Sequence, residues 1–344
     1  MQGWQRVASA CLWLAMAVGT MGAVGAAEPT AIPPELEMRE IIEEQAAQLV
    51  RARDFAQIDR LSAQYVAEGA RTSSGLWISG IFLGGVERGL TKPKPTTEEG
   101  WDQLESLTRG WPRSARGRGT ALRAHAHDIS RRGWAIRGGG YARTVPAEAW
   151  APFHAHIKRA RKYLEQEKAV ASANPDYYAD LISLIQSEQG TGNPEPVLKE
   201  GMSRYPGYYP MYFAMLNYLL PKWHGDAGSI EKFASAAVEH TAAIEGEGMY
   251  ARIYWFASQS EYGDDLFYRS FAHWDRMKAG FDDVVQRYPD QWNLQNYAKF
   301  ACDAQDTQTL AALLERVRKP IIHRAWGNQE RFEECEVLAG RIRL

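Results

Sequence analysis

Two His-x-His motifs, "AHAHD" and "FHAHI", set His125 beside His127 and His154 beside His156. On a strand such a pair shares one face and could hold a metal, whereas on a helix the two side chains diverge by about 200° around the axis. Apolar residues flank both motifs at helical spacing, so packed or exposed histidines are expected and no metal site is assigned. "SIEK", Ser229 to Lys232, has the Ser-x-x-Lys spacing of serine acyl enzymes, but the chain carries no Lys-Thr-Gly to accompany it. Ser229 reads better as the cap of the helix that follows "HGDAG". The triple glycine in "RGGGYAR" has neither a strand before it nor a helix directly after it, which argues against a phosphate loop. There is no His-Glu-x-x-His, no Gly-x-Ser-x-Gly and no zinc-type cysteine spacing. No catalytic, cofactor-binding or metal-ligating residue is therefore assigned. Carboxylates are plentiful enough for a glycosidase pair, but the separation that would define one is a property of the fold.

One charge feature stands apart. Between Arg109 and Arg143 there are nine arginines (109, 113, 116, 118, 123, 131, 132, 137 and 143) and a single acid, Asp128. Either these arginines pair with acids from elsewhere in the fold, or they form a basic patch for an acidic partner, since a guanidinium grips carboxylate or phosphate with two bonds at once. Arg131, Arg132 and Arg137 are the residues that would carry the second reading. The formal charge of the whole chain is −2, which argues against a bulk nucleic-acid binder.

The elements that must position these groups are helical almost throughout. The chain has 344 residues, 45% hydrophobic and 24% charged, enough to bury a large core. A short basic start ending at Arg6, the uncharged run "VASACLWLAMAVG" and the small-residue "GAVGAA" read as a secretory leader over residues 1–27, cut after Ala26 or Ala27. No later segment is long and apolar enough to span a bilayer. After a proline-containing linker, 28–35, apolar residues recur every three or four positions. "LEMREIIEEQAAQLVRA" and "FAQIDRLSAQYVAEG" open a helical region over 36–112, followed by the weaker "ISGIFLGGVERGL" and by a helix before which Thr96 and Glu99 have capping-box spacing.

A punctuation mark then recurs. "RGWPRS", "SRYPGYYP" and "QRYPDQW" each close a helix with an aromatic residue and a proline before the next one opens. Helix pairs of roughly 30 to 45 residues fit around these marks, with first helices beginning near Tyr177, Pro210, Met249 and Asn293, and that period implies stacked repeats. The expected fold is all-α, a tetratricopeptide-like right-handed helical solenoid of antiparallel helix pairs, with the repeats over 113–344 continuous with the region before them. In "YPGYYPMYFAMLNYLLPKWHG", Pro210 suits a first helical turn and Pro221 ends the run. Stripes at Met211, Met215 and Tyr218 and at Tyr212, Leu216 and Leu219 make more than one face apolar, as an inner-layer helix requires.

The stretches "DFAQIDRL", "SGLWISGIF", "GWAIRGGGYARTV", "YPGYYPMYFAMLNYLLPKWHG", "YARIYW", "WNLQNYAKFACDAQD" and "AWGNQERFEEC" resemble the bacterial domain of unknown function 4034 over most of the chain after the leader. The resemblance implies a tetratricopeptide-like helical fold and no particular activity.

Repeat stacks build long concave surfaces. The function expected is that of a non-enzymatic protein-interaction scaffold exported to the periplasm, without cofactor, binding a protein or another acidic envelope component. A helical glycan-binding or glycan-cleaving enzyme is the alternative. The residues expected to line the groove are Arg252, Trp255, Asn293, Asn296 and Lys299. Once the leader is removed, Cys302 and Cys335 remain, spaced by about one tetratricopeptide period of roughly 34 residues. In an oxidising compartment they are expected to form a disulfide.

Overall fold

The computed structural model describes residues 34–111, 118–188 and 192–341. The leader and nearly all of the linker lie outside the described residues. Within them the fold is all-helical: the sole β pairing is an isolated bridge between Arg71 and Trp77, and no helix is long and apolar enough to cross a membrane.

Helix α1, Glu35–Arg51, carries Glu35 and Glu37 in its first turn and Arg51 in its last, charges that complement the helix dipole. Its buried stripe is Met38, Ile42, Ala46 and Val50. Asp54 caps α2, Phe55–Glu68, by accepting from the Gln57 amide. Helix α3, Ile78–Thr91, is the glycine-rich segment that reads as weak. Its glycines lower helix propensity but let α1 approach: a Cβ on Gly85 would meet the Glu43 carbonyl oxygen at 2.3 Å. Helix α4, Glu98–Arg109, is capped by Thr97, which accepts from the Gly100 amide, so the cap lies one residue beyond the expected Thr96.

The remaining long helices are α5 (Arg118–Arg137), α6 (Ala147–Gln166), α7 (Asp176–Ser187), α8 (Glu195–Arg204), α9 (Tyr209–Tyr218), α10 (Ala227–Glu245), α11 (Gly248–Ala257), α12 (Trp274–Arg287), α13 (Gln291–Asp303), α14 (Thr307–Leu314) and α15 (Gln329–Leu338). Most pack on near neighbours in sequence: α1 on α3, α5 on α6, α7 on α9, α11 on α12 and α13 on α14. Two apolar clusters result. One joins α1 to α4, and the other runs from α5 to the C-terminal helices, with α5 contributing Ala121 and Ala124 to the first and Leu122, Ala126 and Ile129 to the second.

Helix α9 is apolar on several faces because it lies between α7 and α11. It starts at Tyr209 with Pro210 in the first turn, and Tyr209, Met211, Tyr212, Met215 and Leu216 are buried. Leu219 falls at the C-cap and is only half-buried, while Leu220 takes the interior position. At α10 the cap is Asp226, whose carboxylate accepts from both the amide and the hydroxyl of Ser229, so Ser229 is a first-turn residue rather than the cap.

A clip formed by residues 71–77 ties the N-terminal helices to the C-terminal ones. Arg71 and the Trp77 indole both donate to the Gly207 carbonyl, at 3.0 and 2.7 Å. Gly75, with φ +89°, lies so close to Tyr288 that a Cβ would stand 2.7 Å from the ring. The clip wraps the carboxylate of Glu35, which accepts from Thr72 Oγ1, Ser73 Oγ and the amide and hydroxyl of Ser74. Burial alone would raise the pKa of Glu35, but Arg39 and the hydrogen bonds from Ser74 and Ser73 hold it below the ordinary glutamate range.

Asp59 on α2 is only 1% exposed, and neither of its carboxylate oxygens accepts a hydrogen bond of good geometry. Burial pushes its pKa from 3.8 to about 7, with only the Trp111 indole opposing the rise. A carboxyl with a raised folded pKa stabilises the fold fully below its unfolded pKa and loses that contribution as pH rises through about 7. Asp59→Asn should therefore stabilise the protein at pH 8 by on the order of 2 kcal/mol, about half the full linkage value because the amide must find partners of its own. It should also flatten the stability profile between about pH 4 and 7. Urea unfolding of both proteins at pH 5 and pH 8 checks this; equal differences at the two values would refute it.

Candidate functional site

Three of the five residues expected to line a groove converge. Arg252 and Trp255 project from α11, and Asn293 from the first turn of α13, onto one cavity of ≈ 120 Å³. The walls are completed by Arg39 from α1, Ser74 and Leu76 from the clip, Phe213 from α9, Phe256 from α11 and Trp292 from α13. Gln259 stands exposed at the rim, on a π-helical turn over Ser258–Tyr262 that continues α11. Such turns widen a helix locally and occur often at functional sites.

The walls are aromatic. Phe213 and Phe256 stack with ring centroids 5.0 Å apart, and Trp255 lies 6.0 Å from Trp292. The Arg39 guanidinium covers the Trp292 ring at 5.1 Å while its Nε donates to Glu35 at 2.7 Å.

The polar floor is Arg252 and Asn293, which are 4% and 1% exposed. Both donate to the Ser74 carbonyl, at 3.3 and 3.1 Å, and Asn293 also donates to the Tyr288 carbonyl at 3.0 Å. Arg252 lies over the rings of Tyr209 and Tyr288 at 4.6 and 5.6 Å. Among the described residues no carboxylate lies within ion-pairing distance of Arg252. The acids around it are engaged elsewhere: Glu35 in the clip and with Arg39, Glu245 with Arg287 and the Tyr209 hydroxyl. Arg252 Nε and Asn293 Oδ1 are both buried and without a hydrogen-bond partner. A buried guanidinium without a counter-charge is costly, and an anion reaching it would relieve that cost.

Asn296 and Lys299 lie on the same helix but are bound within the fold. Asn296 donates to the Trp292 carbonyl at 2.8 Å, and Lys299 is neutralised by Asp303 at 2.6 Å and Asp264 at 2.8 Å. The arginine-rich segment is also engaged internally. Arg132 pairs with Asp102 and Glu105 and more closely still with Glu98, all on α4. Arg131 donates to Thr91 Oγ1 at 2.8 Å. Arg137, 8% exposed, donates to the carbonyls of Gly138 and Gly140 and is held between Trp134 and Trp150, each 5.1 Å away. Arg123 is buried against Asp180 and Asp176. Arg113 and Arg116 lie outside the described residues.

The histidine motifs fall on helices α5 and α6, where the two members of each pair diverge. His125 Nδ1 lies 3.0 Å from Thr108 Oγ1. His127 is pushed down to about 4 by burial, against the upward pull of Asp180 and with Arg131 and Arg123 adding to the drop, so it is neutral at pH 7. Among the described residues no group of three or more His, Cys, Asp or Glu is placed to hold a metal ion. A wider cleft of ≈ 390 Å³ is lined mostly by small and polar residues, including Ser62, Ala67, Thr120 and Asn174, with no charged side chain on it among the described residues.

Sequence reasoning missed Arg39, Phe213 and the clip as parts of the cavity. Trp292 was within reach, since it precedes Asn293 on the same helical turn. No family model, no curated protein and no solved structure matches this chain.

Proposed function

We propose that the chain is an exported, non-enzymatic interaction protein of the cell envelope, a helical-repeat scaffold that grips a protein partner at the Arg252 cavity. Export rests on the leader-like segment over 1–27, and the repeat reading rests on the recurrent aromatic-proline punctuation and on helices that pack mostly on near neighbours. One observation carries the binding reading: a buried, uncompensated guanidinium at the floor of an aromatic cavity whose rim reaches solvent at Gln259. Among the described residues no carboxylate lines that cavity, and none there could form an acid-base pair for cleaving a glycosidic bond. Its aromatic faces are nonetheless of a kind that sugars stack on, and glycan binding is the competing outcome of the test.

Immobilised mature protein should retain a protein partner from solubilised envelopes and leave peptidoglycan uncleaved. Retention of no protein, together with binding or cleavage of the glycan, would sink the scaffold reading.

A further inference from the structure

We infer that the Arg252 cavity takes the C-terminal residue of a partner polypeptide, its carboxylate on Arg252, its backbone N–H on Asn293 and its apolar side chain against the aromatic wall. The inference rests on the scaffold reading and specifies its ligand.

The two unpartnered buried atoms define what is missing. Arg252 Nε needs an acceptor, and the positive charge behind it makes an anionic acceptor the strongest choice. Asn293 Oδ1 needs a donor, because its Nδ2 is already spent on Ser74 and Tyr288. Both atoms are closed to water in this structure, so a ligand reaches them as the Arg252 and Asn293 side chains turn toward the cavity, and one that satisfies both must present an anion and an N–H or O–H. The last residue of a polypeptide does so, with its carboxylate and amide one carbon apart. Capture of such a terminus by buried donors is a recurring recognition mode.

Charge distinguishes a chain terminus from a free amino acid. Arg39, Arg71 and Arg252 surround the clip, and among the described residues only Arg39 of the three has a carboxylate partner, Glu35. An α-ammonium group would enter this positive field at a cost, whereas a neutral peptide N–H would not. Size agrees: ≈ 120 Å³ is close to the roughly 150 Å³ cavities that accept one aromatic ring. The stacked Phe213 and Phe256 and the Trp255 ring provide the apolar wall, while the exposed Gln259 amide at the rim is free to bond the preceding peptide unit.

The test follows the fluorescence of Trp255 and Trp292 while the mature protein is titrated with acetyl-Ala-Phe, its C-terminal amide, free phenylalanine and N-acetylmuramic acid. The acetyl dipeptide should bind, with its amide at least about tenfold weaker and free phenylalanine weaker than the dipeptide. Arg252→Gln should abolish the preference for the free carboxylate. Phe256→Ala, at the half-buried wall, should weaken the dipeptide and its amide alike while leaving that preference intact, and both variants are checked for an unchanged far-ultraviolet dichroism spectrum. Equal binding of dipeptide and amide, no binding of the dipeptide, or tighter binding of N-acetylmuramic acid would each overturn the inference, the last in favour of an acidic sugar. The scaffold reading fails separately: an envelope partner retained equally by wild type and Arg252→Gln removes this inference alone, and Arg252-dependent dipeptide binding without any retained partner removes the scaffold alone.

Discussion

Replacing Arg123 with methionine is expected to destabilise the protein by about 3 kcal/mol, the cost of stranding the buried Asp176 and the partly buried Asp180 without their cation. Arg123 on α5 donates from Nε and a terminal nitrogen to the two oxygens of Asp180 on α7, at 2.6 and 2.9 Å, and lies 3.8 Å from Asp176. Its side chain is 6% exposed and that of Asp176 is 8%. Burial alone would lower the pKa of Arg123, but Asp180, and then Asp176, push it up, so the cation is firmly held. Methionine fills much of the same volume, which keeps the lost charge, rather than an empty space, as the main cause. Asp180→Asn added to Arg123→Met should recover a large part of the loss, because one of the stranded charges is then removed. Urea unfolding at pH 7 measures both. A loss below about 1 kcal/mol for the single variant would show that water reaches and solvates the two acids.

The same pair shows where reading the sequence stops. Helical periodicity marks α5 and α7, and the helices expected near Tyr177, Pro210, Met249 and Asn293 begin at Asp176, Tyr209, Gly248 and Gln291. Each is a local property, an apolar stripe bounded by a cap or a proline, and local properties are written in neighbouring residues. The partners of the arginines are not. Arg132 meets Glu98 and Asp102, one helical turn apart on α4, only because α4 packs on α5. An arginine-rich stretch looks the same in sequence whether it faces solvent or a neighbouring helix.

The cavity divides along the same line. Arg252, Trp255 and Asn293 were legible as one face of two helices. The clip that closes the floor was not, because Ser74 and Asn293 are separated by 219 positions. Residues expected to line an open groove are thus partly occupied by the chain itself: Ser74 uses one amino group of Arg252 and the amide nitrogen of Asn293, while Nε and Oδ1 have no hydrogen-bond partner. A polar residue whose hydrogen bonds go partly to a distant loop cannot be recognised from its type.

Loss of the disulfide should cost about 3–4 kcal/mol, concentrated in the C-terminal helices. Cys302 lies near the end of the buried run of α13, Cys335 lies on α15, and their Cα atoms are 5.7 Å apart across a bond that closes a loop of 33 residues. Closing a loop of that length removes about 3.7 kcal/mol of unfolded-state entropy at 25 °C in the chain-entropy model. Both residues are buried, at 3% and 0% exposure, so a Cys302→Ala/Cys335→Ala variant opens only a small space and its loss reports mainly on the cross-link. Arg331 on α15 still reaches Asp303 at 2.9 Å without the bond, so α15 should fray rather than detach. Hydrogen exchange should then quicken over 307–338 in the variant and stay unchanged over 35–51. Thiol titration of the unfolded, unreduced chain from Glu28 onward should find no free thiol. Two free thiols per chain, or a variant as stable as wild type, would mean that Cys302 and Cys335 act only as small apolar fillers of the α13–α15 interface.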